Sequence, residues 1–145
     1  MDSSITGGLS GKVLEYINTN SFNFDKTKNE CSCIIIPQKE CFNRNKIFDK
    51  GLIIAIADTF SSYAVKYLCP DEDFRLFLSV RILFTSYQNI FETNKELKMR
   101  VTLNHKMDRD IILNIEILSI KNETLAHLNH LKRKLSHNYN LCTIE

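Results

Sequence analysis

The chain has 145 residues, of which 43% are hydrophobic, 25% charged and 10% aromatic; that length and balance fit one globular core and exclude both a disordered chain and a two-domain layout. Nineteen basic residues against seventeen acidic ones leave a net charge of +2, so bulk charge gives no argument for nucleic acid or a membrane surface as partner. Five cysteines, with Cys31-Ser32-Cys33 as the only close pair, fit reduced thiols and a cytoplasmic location better than a disulfide framework.

No basic cap followed by an apolar run is visible at the start, so neither a secretory signal nor a transit peptide is expected. Residues 12–18 carry Val13, Leu14 and Ile17 at helical spacing and predict a short amphipathic helix; the polar stretch 18–30 reads as a loop. Cys33 to Ile36 is a short β-branched run ended by Pro37, which predicts a strand. Residues 51–68 are apolar in nearly every direction around a 3.6-residue period, with Asp49 where an N-cap belongs and Cys69-Pro70 at the far end. That pattern predicts a long buried helix. Its apolar run is too short for a membrane span and holds Asp58.

After Pro70 the period changes to two. Phe74, Leu76, Leu78, Val80, Ile82 and Phe84 are expected on one face of a strand, with Arg75, Phe77, Ser79, Arg81, Leu83 and Thr85 on the other. The alternation returns at 97–104 and 111–117 around the polar turn 106–110, and less cleanly at 125–132 after Asn122-Glu123. The expected fold is α+β: a short helix, a strand, a long helix, then a meander of about four antiparallel strands with the helices on one side. Residues 1–30 are expected to form an N-terminal helix and loop, 31–137 the main domain and 138–145 a tail.

Asp58 stands in the middle of the apolar helix. A buried carboxylate is costly unless paired or hydrogen-bonded. It either lies on a solvent stripe, pairs with a strand arginine such as Arg75 or Arg81, or serves catalysis.

The segment from Asn43 through Asp49-Lys50-Gly51 to Asp58-Thr59, followed by Ser79-Val80-Arg81-Ile82-Leu83-Phe84, resembles the hotdog-fold acyl-coenzyme A thioesterases, in particular the short single-domain members with an aspartate in the central helix. The likeness covers residues 32–134. It implies a curled antiparallel sheet wrapped around a buried helix, and hydrolysis of a fatty or aryl acyl-CoA thioester. By resemblance, Asp58 acts as general base or holds the water, while Asn43 and the backbone at Lys50 and Gly51 of a second subunit bind the thioester carbonyl. Ser79 is the candidate hydroxyl on the following strand. Coenzyme A enters as part of the substrate, with no separate cofactor, and the assembly implied is a homodimer or a tetramer made of two dimers.

Helix-terminal N–H groups can stabilise an oxyanion, and a carboxylate can accept the proton of an attacking water. Asp49 and Lys50 depart from the family's usual His and Gly, and a negative Asp49 opposes an oxyanion beside it. This departure motivates an alternative, a degenerate hotdog protein that binds acyl-CoA or a protein partner without turnover. A hydratase-like reading is poorer, because no His precedes the helix. For the coenzyme A phosphates the candidates are Lys106, Arg109, His130 and Lys132, with Arg133 and Lys134 beside them; the competing reading is a charged edge that deters strand pairing. The spacing of His127, His130 and Cys142 predicts no metal site.

Overall fold

The computed structural model describes residues 8–135. The expected tail at 138–145, with Cys142, lies outside them. Helix α1 (Gly8–Val13) runs through a 3₁₀ turn (Leu14–Tyr16) into strand β1 (Ile17–Asp25), followed by β2 (Glu30–Ile35), helix α2 (Lys50–Leu68), β3 (Phe77–Ser86), β4 (Leu97–Lys106), β5 (Asp110–Leu118) and β6 (Thr124–Lys134). The strands form one antiparallel sheet in the order β1-β2-β4-β5-β6-β3, and α2 lies against one face of it. The expected hotdog arrangement, a long helix wrapped by a sheet, is the one found.

Helix α2 forms where its apolar run and cap place it: Asp49 is extended, and its carboxylate accepts the backbone N–H of Leu52. Nine residues of its length are buried, from Ile53 to Leu68. The remaining stripe, Gly51, Ile54, Ala55, Asp58, Ser62 and Lys66, is partly or fully exposed. The helix is therefore not covered all round by its own chain. Against it the sheet presents rows of side chains set by the register: Cys31, Val101, Ile115, Leu128 and Phe84 stand in one row, and Leu103, Leu113, His130 and Ile82 in the next.

Three expectations are corrected. The polar stretch expected as a loop forms β1, pairing with β2 around an irregularity between Asn18 and Asn23. Asparagine is a weak strand former, and what fixes β1 is tertiary: the ring of Phe22 sits 4.9 to 6.0 Å from those of Phe60, Tyr63 and Tyr67 on α2. The later strands are not a simple meander, because β3 crosses to the far edge and pairs with β6 rather than β4.

Strand β3 also departs from the expected facing of its side chains. Its register with β6 shifts between Ser79 and Arg81, so Val80 is an extra, bulged residue. Ser79 pairs with Lys132 and Ile82 with His130, which puts Ser79 on the same inner face as Ile82 and Phe84. Leu78, Val80 and Leu83, each about half exposed, are left on the sheet's free edge. Phe74 and Leu76, read as strand from their alternation, form a 3₁₀ turn capped by Asp73.

Candidate active site

Asp58 lies on the open stripe of α2, its side chain 46% exposed. Neither arginine suggested by the sequence meets it. Arg75 pairs with Asp73, and Arg81 lies on the outer phase of β3, opposite Leu131. Instead β6 brings His130 and Lys132 beneath it, with His130 Nε2 at 3.5 Å and Lys132 Nζ at 3.9 Å from Asp58 Oδ1. The main chain of Asp58 is held as well, its carbonyl accepting from Ser61 Oγ at 3.2 Å and Ser62 Oγ at 2.7 Å.

The bulge in β3 aims Ser79 into the same cluster, with Oγ 2.7 Å from His130 Nε2. On the other side of the ring, His130 Nδ1 lies 3.0 Å from Ser61 Oγ. Lys132 Nζ donates to Ser62 Oγ at 2.8 Å. One connected polar network thus joins α2, β3 and β6 under a half-exposed carboxylate. Burial, reinforced by the Lys132 charge, pushes the His130 imidazole down to about 3, so it is neutral at ordinary pH. Burial likewise pushes the Lys132 ammonium down to about 8, with the Asp58 charge opposing the fall.

The sequence offers His130 and Lys132 either as partners of the coenzyme A phosphates or as members of a solvated charged edge, and both readings expect them at the surface. The structure buries them, at 0% and 1% exposure, because both occupy the inner phase of β6 in line with Ala126 and Leu128. Lys106 and Arg109 do face solvent, at the β4–β5 turn. There Lys106 pairs with Glu72 at 3.6 Å, and Arg109 donates to the Lys134 carbonyl. That turn lies by the C-terminal end of α2, since Lys134 also donates to Glu72 in the loop after the helix. Arg133 pairs with Asp110.

Asn43, Lys50 and Gly51 gather at the opposite end. Asn43 Oδ1 accepts the backbone N–H groups of Asn45 at 2.8 Å and Ile47 at 3.1 Å, organising a tight turn in which Lys46 adopts a left-handed φ of 65°. The Asn43 oxygen therefore shapes the loop that leads into α2. The amides of Lys50 and Gly51, in the first turn, have no intrahelical acceptor. Beside them a groove is lined by Ile47, Phe48, Ile53, Phe84 and Ala126. Asp58 is eight residues further along the helix, which is about 12 Å at 1.5 Å per residue. Within one chain, Asp58 and the start of its own helix cannot attend to the same carbonyl.

The pairing of His130 and Lys132 with Asp58 escaped the sequence reading because Lys132 is 70 positions beyond its Ser62 partner. A signal existed: both are polar residues at core-phase positions of an alternating strand. Among the described residues no cluster of His, Cys, Asp or Glu could hold a metal ion, and no helix is long and apolar enough to cross a membrane.

No protein-family model and no curated protein matches the chain. Solved structures do. Protein yhdA of Lactococcus lactis, a candidate thioesterase, is similar with a TM-score of 0.74 at 12% identity, covering 90% of this chain and 100% of that one. Zebrafish thioesterase superfamily member 2 gives 0.72 at 14% identity, over 90% and 88%. A hypothetical thioesterase from Streptococcus pneumoniae, solved with coenzyme A, gives 0.66 at 9% identity, over 81% and 88%. At these identities the likeness is one of fold: the chain has the hotdog fold seen in thioesterase superfamily structures.

Proposed function

We propose that the protein is an acyl-CoA thioesterase whose site is completed between two copies. The observation that carries this reading is the Asp58 carboxylate. It is placed mid-helix on the one face of α2 that the chain leaves open, and backed by a buried network rather than neutralised by a surface arginine. In this mechanism Asp58 accepts a proton from a water as the water attacks the thioester carbonyl, and the thiolate of coenzyme A departs. The oxyanion is met by the helix-start amides of Lys50 and Gly51 from a second copy, since those of the same chain lie too far along the helix. Ser79, exposed and hydrogen-bonded to His130, is placed to orient the water. Lys106 and Arg109 remain the basic residues open to the coenzyme A phosphates.

The second copy has a seat. Strand β3 is an edge of the sheet, and Leu78, Val80 and Leu83 on it are each about half exposed; an unpaired apolar edge invites another strand. Pairing along β3 gives the dimer this reading requires. A cytoplasmic site of action is part of the same proposal.

The test is release of thiol from a panel of fatty and aryl acyl-CoA esters. Wild type hydrolyses at least one of them, and Asp58→Ala loses about 100-fold or more of kcat, the usual share of a general base. Equal rates for the two proteins remove Asp58 from the mechanism. A second reading, binding of acyl-CoA without turnover, is favoured by one observation: the Asp49 carboxylate occupies the helix start, its Oδ2 3.2 Å from the Leu52 nitrogen. Tight binding with no hydrolysis across chain lengths selects it. The hydratase-like reading gains the missing His–acid pair in His130 and Asp58, yet the ring is fully buried and already engaged on both nitrogens.

A further inference from the structure

We propose that Lys132 is a positioning residue for Asp58: its ammonium, enclosed beneath α2 and fixed by Ser62, supplies the buried positive charge against which the carboxylate is held. The site then reaches its full rate only while that ammonium is protonated. This rests on Asp58 being the base of the reaction.

Lys132 is 1% exposed on the inner face of β6, and a buried ammonium is expensive unless a partner repays its lost hydration. The neighbouring strand presents Ile111, Leu113 and Ile115 to the same helix, so an aliphatic side chain would satisfy packing alone. Among the described residues, Asp58 is the one carboxylate within ion-pair distance of Lys132. Ser62 completes the arrangement, accepting from Lys132 Nζ while donating to the Asp58 carbonyl. Lys132 is thereby tied to both the side chain and the main chain of Asp58.

The groups facing Lys132 leave little else to respond. Helix α2 presents Asp58, Ser61 and Ser62. Strand β6 adds His130, which burial keeps uncharged. Strand β3 contributes Ser79, paired with Lys132 across the ladder, and β5 contributes Ile111. Two ionised groups therefore share this space, Lys132 and Asp58. Burial brings the ammonium down to about 8, within the range of an ordinary activity profile. A phosphate-binding role fits poorly, because a side chain with 1% exposure offers no open face to an anion in solvent.

The experiment uses the full chain as wild type, Lys132→Met, Lys132→Arg and Asp58→Asn, with folding checked by circular dichroism. In wild type the rate of thioester hydrolysis falls as pH rises through about 8. Lys132→Met loses roughly tenfold in kcat with little change in KM, the rate equivalent of one pK unit of interaction, and lacks that alkaline limb. Lys132→Arg retains activity and carries it to higher pH, since a guanidinium does not titrate there. Independently of catalysis, NMR of the lysine side chain follows the Lys132 proton directly, and its titration step moves to lower pH in Asp58→Asn. An unmoved step, or a methionine variant with the wild-type rate and alkaline limb, overturns the proposal. A moved step in a protein that hydrolyses no thioester sinks the enzymatic reading and supports the pairing.

Discussion

The two halves of the sheet meet the same helix with opposite chemistry. Under β2, β4 and β5 the contact is dry: Cys31, Cys33, Met99, Val101, Ile115 and Ile117 are buried, and burial raises the Cys31 and Cys33 thiols so far that they stay protonated and inert. Under β6 and β3 the inner positions hold Ser79, His130 and Lys132 beside the apolar Ala126, Leu128, Ile82 and Phe84, and the three polar residues are joined to Ser61, Ser62 and Asp58. Packing alone explains the first half. The second spends stability on buried polar groups, which the proposed function would explain by placing the chemistry on one side of the helix and the packing on the other.

That division predicts which substitutions move what. The largest effect on stability belongs to the dry half. Ile115 is fully buried at the centre of β5, and Ile115→Ala costs about 2–5 kcal/mol in urea unfolding. The kcat of the molecules that remain folded is unchanged. A loss of kcat equal to that of Asp58→Ala would show that the two halves are not separable.

The polar half shows itself through acid. His130 titrates at about 3 in the fold against 6.5 as an ordinary imidazole, so in the window between them the unfolded chain binds the extra proton. Its contribution to stability is complete above about 6.5 and is lost as pH falls toward 3, with a limiting slope of about 1.4 kcal/mol per pH unit. Glu72 and Asp110, both held below the usual carboxylate range chiefly by hydrogen bonds from Lys134 and Arg133, add their own decline at more acid pH. Denaturant midpoints between pH 6.5 and about 5.5 therefore isolate His130, and His130→Gln flattens the curve there. An unchanged slope would mean that the ring is not buried neutral.

The smallest effect separates the two functional readings at the helix start. Asp49→Ala removes the side-chain cap of α2 and costs about 1 kcal/mol by thermal melting. If a thioester carbonyl docks on the amides of Lys50 and Gly51, losing a negative charge beside it raises kcat despite the lower stability. A fall in kcat that exceeds the loss of folded protein would argue that Asp49 itself contributes to the reaction.

Much of the architecture was legible because periodicity is local. The 3.6-residue run and the Asp49 cap located α2, and the alternation of β4 and β5 located their buried faces. Strand β1 was hidden because its composition disfavours a strand, while the aromatic partners that hold it lie on α2. The bulge in β3 was hidden for the reverse reason. Its sequence carries apolar residues at every second position from Phe74 to Phe84, and only pairing with β6 reveals the extra residue that turns Ser79 inward. Of the candidate site, Asp58 and Ser79 stood out as residues. Their link through His130 did not, because it is made of contacts between segments far apart in the chain.

Sequence by itself determined that this is one core built on a long apolar helix carrying a lone carboxylate, since side-chain chemistry at helical spacing is a property of the chain alone. What surrounds that carboxylate was decided by strand register and order. A shift of one residue in β6 would have turned His130 and Lys132 out to solvent, and the placement of β3 beside β6 gave Ser79 its neighbour. Those choices are settled by the packing of the whole sheet against the helix, a free energy that no segment holds separately.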